Sequence, residues 1–200
     1  PYQASDTREH DLLHTKLEVN FDWDQHRLIG TATLQLKPYF YPQSILTLDA
    51  KGFEIHSVNL VNNQSGSSSL KPLNYEYDSL LLTITLDRTY TREEPFWVKI
   101  EYTAKPDEFE AGGSEAINSD KGLYFIDEPL PQIWTQGETE ASSRWFPTID
   151  SPNERCTQEM FITVENRYVT LSNGALVYSQ VLEDDSDADK QNLRTDYWRM

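Results

Sequence analysis

Gln136 and Glu138 stand two residues apart inside the run Trp-Thr-Gln-Gly-Glu-Thr-Glu-Ala-Ser-Ser-Arg-Trp-Phe-Pro-Thr-Ile-Asp-Ser-Pro, residues 134 to 152. Extended backbone alternates its side chains, so a strand through 133 to 138 would send this amide and this carboxylate to one face, with Thr135 and Gly137 on the other. Two polar groups facing the same way can hold a cation or a polar ligand. Pattern alone favours solvent exposure for Glu138, because carboxylates are seldom buried without a partner. Downstream, Ser151-Pro152-Asn153-Glu154 predicts a helix start, with Ser as cap, Pro at the first helical position and Glu three residues after the cap. Trp145, Phe146 and Pro147 are expected to anchor the intervening turn in the core. Arg144 reads either as a solvated charge or as an ion-pair partner of Asp150.

Other spacings carry less chemistry. His10 and His14 have the separation of the H-E-x-x-H zinc motif, but that motif needs a helix to bring i and i+4 together. In a strand the two imidazoles lie about 13 Å apart, too far for zinc bonds of about 2.0 Å. No G-x-S-x-G elbow accompanies the serines, and no Gly-rich phosphate loop occurs. Residues 111 to 114 read as a turn, and the Asp-dense tract at 183 to 189 lacks the positions and glycine of a calcium loop. Cys156 is the one cysteine. It can form no intrachain disulfide and reads as a small, partly buried apolar residue.

The elements that must position Gln136 and Glu138 are strands. Leu13, Leu17, Val19, Phe21 and Trp23 alternate with His14, Lys16, Glu18, Asn20 and Asp22, which predicts a half-buried strand. A turn at 24 to 27 leads into a second strand over 28 to 36, giving a hairpin. Further β-type runs fall at 45–48, 53–61, 80–86, 96–102, 122–126, 158–164, 168–171 and 176–181, with strand-like Tyr197 and Trp198 near the end. The tract 62 to 69, Asn-Asn-Gln-Ser-Gly-Ser-Ser-Ser, reads as a flexible loop tip. No fixed repeat and no long amphipathic helix is apparent. Two hundred residues suit one β-rich domain.

Seventeen Lys plus Arg against 33 Asp plus Glu give a formal charge of −16. That sign opposes nucleic acid and anionic lipid, and favours cations such as the ammonium end of a peptide. No run approaches the roughly 20 apolar residues of a membrane span, and no signal-peptide pattern opens the chain. Starting at Pro1 and stopping inside a strand-like pattern, the chain reads as one piece of something larger.

Gln136, Glu138, Phe146, Pro147, Asp150 and Pro152 together resemble the N-terminal domain of the M1 family of zinc aminopeptidases, in a pattern like Q-x-[EQ]-x7-F-P-x-x-D-x-P. The likeness extends to residues 30–37, 46–50, 55–60, 121–124 and 171–174. It implies an all-β, mainly antiparallel fold: a saddle-like multi-sheet β-sandwich with at most short helices, spanning 1–200 as a single N-terminal domain ahead of a catalytic domain. By the same resemblance Glu138 would help bind the α-ammonium of a peptide substrate, and Gln136 would line the pocket for its first side chain. The sequence departs from many relatives at Ser142-Ser143 before Arg144 and at Thr148, where a cysteine is common.

Neither the family's G-x-M-E-N loop nor H-E-x-x-H occurs in the 200 residues. Zinc and the catalytic residues are therefore expected in the full-length parent, with no zinc and no catalysis in this stretch alone. The implied partners are peptides with a free N-terminus and the parent's catalytic domain, and the setting leans extracytoplasmic. A noncatalytic β-sandwich module binding carbohydrate or protein through Tyr39, Phe40 and Tyr41 is the rival reading, and an inactive scaffold relative is a third.

Overall fold

In a computed structural model of the protein, residues 7–64, 67–108, 121–182 and 192–200 are described. The turn expected at 111–114 and the acidic tip expected at 183–189 lie outside these residues. In chain order the strands are β1 (His10–Asp22), β2 (Arg27–Pro38), β3 (Gln43–Asp49), β4 (Phe53–Gln64), β5 (Ser67–Pro72), β6 (Asn74–Tyr77), β7 (Leu81–Tyr90), β8 (Phe96–Ala104), β9 (Leu123–Ile126), β10 (Gln132–Thr135), β11 (Thr157–Glu165), β12 (Ala175–Val181) and β13 (Leu193–Arg199). They form an eight-stranded sheet in the order β12-β13-β11-β1-β2-β8-β4-β5, a three-stranded sheet β3-β7-β6, and the hairpin β9-β10. β1 and β11 run parallel, and the remaining pairs in these sheets are antiparallel. Among the described residues the one helical element is a 3-10 turn, Ser142–Arg144. The fold is all-β, as the resemblance implied.

Strand alternation builds the core. Along β2 the even positions Leu28, Gly30, Ala32, Leu34 and Leu36 are buried while their odd neighbours are partly or fully exposed, the signature of a sheet with one face in the interior. Leu46 and Leu48 of β3, Leu82 and Ile84 of β7, and Val98 and Ile100 of β8 complete one apolar cluster with them, and Leu123 and Phe125 of β9 join it. The hairpin is therefore packed onto the main body through its inward face.

β1 departs from strict alternation. Its register against β2 shifts between Leu12 and His14, which leaves Leu13 as an extra residue. A β-bulge of this kind reverses which parity faces inward. His10 and Leu12 are buried before the bulge, Thr15, Leu17 and Val19 after it, and Leu13 turns partly outward. His10 sits against the edge of Phe96 at 6.1 Å, and burial lowers its pKa to about 4, so the ring is neutral. His14 is half-buried and hydrogen-bonds Thr157 at 2.7 Å.

Three expectations need correction. Residues 168–171 form no strand: Arg194 donates to the carbonyls of Asn166 and Tyr168, and Thr170 is bonded to Asp196 and Trp198. Side chains of β13 take the place of a partner strand, and Val169 and Leu171 are left 93% and 87% exposed. The tract 62–69 is not simply a loop tip, because β4 and β5 stay paired through Gln64 and Ser67. Backbone pairing in a hairpin arm requires no buried side chain. β5 carries no apolar alternation and was not legible, and β6, Asn74-Tyr75-Glu76-Tyr77, alternates polar and aromatic residues over only four positions and was missed. Finally, 151–154 makes a single turn, Glu154 N–H to Ser151 C=O at 2.9 Å, and no helix follows. The Glu154 carboxylate accepts from Arg8 at 2.6 Å and from the Leu12 N–H at 2.8 Å, so it ties the chain to β1 and does not return to cap Ser151.

Candidate functional site

The site grows from the β9-β10 hairpin. Phe125 of β9 takes the edges of Phe21 and Trp23 and the face of His26, the last at 5.0 Å and nearly parallel. Both ring nitrogens of His26 meet carboxylates, Nδ1 at 2.7 Å from Asp107 and Nε2 at 3.3 Å from Asp127. The Asp107 bond raises the imidazole's pKa against a partial burial penalty, and Asp127 adds to the rise. Lys121 also bonds Asp107, at 2.6 Å. The turn between β1 and β2 thus holds the β9 end of the hairpin.

At the opposite end the chain leaves β10. The ladder continues one step, with the Gln136 N–H donating to the Gly122 carbonyl at 2.9 Å. Gly122 has φ +69, and a Cβ there would fall 2.2 Å from the Ala141 carbonyl oxygen. Only glycine permits both that conformation and that approach. Gly137 meets Ser142 almost as closely, and the Ala141 N–H returns to the Gly137 carbonyl at 3.1 Å. Residues 137 to 141 therefore close into a tight loop with Glu138, Thr139 and Glu140 exposed at its tip and Ala141 buried at its base.

Long-range bonds hold that base. The Lys51 N–H donates to the Ser143 carbonyl at 2.8 Å, and the Lys51 ammonium to the Glu140 carbonyl at 2.9 Å. Asp150 accepts from the Ser143 N–H at 2.8 Å, and its own N–H donates to Asp49 at 2.9 Å. Asp49 and Thr148 form a two-bond bridge. The fully buried Tyr102 hydroxyl donates to the Trp145 carbonyl at 3.0 Å. Trp145 and Phe146 are buried as anticipated.

Gln136 is half-buried and Glu138 exposed. β10 ends at Thr135, and Glu138 lies in the turn, so the single-face alignment expected from an extended 133–138 does not extend to Glu138. Gly137 bends the chain first. Neither side chain is hydrogen-bonded to or ion-paired with another described residue. The arrangement is thus a free carboxylate on a loop whose base is fixed by Asp49, Lys51, Tyr102 and Asp150. Sequence reading did not assign Asp49, Lys51 or Tyr102 to this site, because each reaches it from a segment remote in sequence: Asp49 from the end of β3, Lys51 from the turn after it and Tyr102 from β8. Among the described residues no three His, Cys, Asp or Glu side chains converge as a metal site.

A model of the Peptidase M1 N-terminal domain matches residues 10–193. No curated relative matches the sequence. Among solved structures, a two-domain M1 zinc metallopeptidase mutant bound to L-arginine aligns with TM-score 0.76 at 18% identity, over 96% of this chain and 39% of that one. An M1 zinc metallopeptidase from Deinococcus radiodurans aligns with TM-score 0.75 at 18% identity, with the same two coverages. A mutant of that metallopeptidase bound to a Tyr-Ser-Ala substrate gives TM-score 0.74 at 16% identity, again over 96% and 39%. At these identities the likeness establishes the fold, and the chain spans about two fifths of the length of these structures. The family match over residues 10–193 decides kinship: this chain belongs to the M1 peptidase N-terminal domain family.

Proposed function

We propose that this chain is the N-terminal substrate-recognition domain of a zinc-dependent aminopeptidase, in which Glu138 helps bind the α-ammonium of a peptide and Gln136 lines the space for its first side chain. Hydrolysis belongs to a catalytic domain of the same parent protein, which supplies the zinc. The observation that carries this reading is the exposed Glu138 carboxylate, bonded to no other described residue and standing on a loop fixed at its base. A charged hydrogen bond to an ammonium is stronger than a neutral one, and holding a substrate by that end sets where its first peptide bond lies. Family membership supplies the context of peptide hydrolysis.

In the full-length parent, Glu138→Ala should lower kcat/KM for substrates with a free α-amine by roughly 10- to 100-fold, the worth of a charged hydrogen bond. Steady-state kinetics on aminoacyl chromogenic substrates measures this, and unchanged kinetics would remove Glu138 from the site. The rival reading keeps one observation in its favour, since Tyr39, Phe40 and Tyr41 are all exposed. Glycan or protein binding that Tyr41→Ala abolishes and Glu138→Ala leaves intact would support it.

A further inference from the structure

Trp134 is a large aromatic residue left 44% exposed on the outward face of the hairpin that leads to Gln136. Its cross-strand partner is Tyr124, and the two rings stack at 4.3 Å and 10°. The Tyr124 hydroxyl accepts the Lys121 N–H at 3.3 Å, so the backing ring is itself held. Among the described residues Trp134 makes no other ring or cation contact. Because the ladder runs on through Gln136 and Gly122, Trp134 and Gln136 share the outward face. They are two strand residues apart, about 7 Å, which a long side chain covers and a short one does not.

We propose that Trp134, backed by Tyr124, is the surface on which the side chain of a peptide's N-terminal residue stacks, and that it selects planar side chains, arginine first. This rests on the amine role given to Glu138, which sets where that side chain begins. A guanidinium laid on an indole gains both flat contact and attraction to the ring quadrupole. A lysine of the same charge gains less, because its compact, strongly hydrated ammonium presents no flat surface. The formal charge of −16 draws in either cation and so ranks arginine above a neutral aromatic residue.

The test is calorimetric binding of L-argininamide, L-lysinamide and L-alaninamide to the full-length parent, a readout that does not require turnover. Trp134→Ala should weaken argininamide about tenfold and the other two by less than about threefold. Trp134→Phe should retain most of the arginine preference and reports that the hairpin still folds. Equal weakening of all three amides by Trp134→Ala, or no weakening of argininamide, overturns the proposal. Glu138→Ala separates the two readings, because it should weaken all three amides alike. If it is silent while Trp134→Ala remains selective, the amine role fails and the stacking surface stands.

Discussion

Tyr102 joins two parts of the molecule that the chain keeps 43 residues apart, its hydroxyl on the Trp145 carbonyl and its ring over Gly30. A Cβ at residue 30 would lie 2.5 Å from the Tyr102 ring. Gly30→Ala should therefore overpack the core and cost about 1–3 kcal/mol of stability in urea unfolding. Tyr102→Phe should cost a similar amount, about 1–3 kcal/mol, by leaving the Trp145 carbonyl buried without its donor. Asp196 offers a second test. Burial pushes its pKa up, but Arg194, Ser179 and Thr170 outweigh that and hold it below the ordinary carboxylate value. A depressed pKa gives stability that is present above the unfolded value of about 4 and lost as pH falls through the folded value. Urea midpoints should accordingly drop toward acid in the wild type and change less in Asp196→Asn, which should be less stable at neutral pH. Single residues were unevenly legible. Gln136 and Glu138 stood out through spacing and resemblance, whereas the importance of Asp196 depends on Thr170 and Ser179, which sequence alone does not place beside it.

Among the elements, the β9-β10 hairpin rests on a contact that titrates. His26 lies between Asp107 and Asp127 with its face on Phe125, and Lys121 shares Asp107. Its raised pKa means a contribution fully present below the unfolded value of about 6.5 and lost as pH rises through the folded value. Amide exchange, corrected for its intrinsic pH dependence, should show protection of 123–126 and 132–135 declining across that window. His26→Gln should remove the decline, and an unchanged profile would separate the histidine from the hairpin's stability. Long apolar alternations such as those of β2 and β8 were readable because burial on one face dictates them. The bulge at Leu13, the polar strand β5 and the non-strand at 168–171 were not. Backbone pairing and side-chain bonds from distant strands decide those three, and neither leaves a period in the sequence.

For the whole molecule, charge and edges set behaviour in solution. β12 is exposed along its length, carries Leu176, Val177, Tyr178 and Val181 outward, and ends the eight-stranded sheet. It holds no charge and no proline. Among the described residues nothing pairs with its outer side, and an apolar edge of this kind invites association. Val177→Lys with Val181→Lys should raise the concentration at which the chain remains monodisperse in sedimentation velocity.

The parallel pairing of β1 with β11, which places His14 opposite Thr157, also dictates an order of events during synthesis. β1 can zip against β2 as soon as the first hairpin leaves the ribosome, but its other edge stays open until more than a hundred further residues have been made. Closure across such a separation is slow, on the millisecond-to-second scale of domains dominated by non-local strands. The bonds to Asp49, Lys51, Tyr102 and Asp150 that fix the Glu138 loop all lie upstream of Thr157. The loop can therefore set before the large sheet is complete, and β11, with β13 and β12 building onto it in turn, arrives late on a strand made near the first.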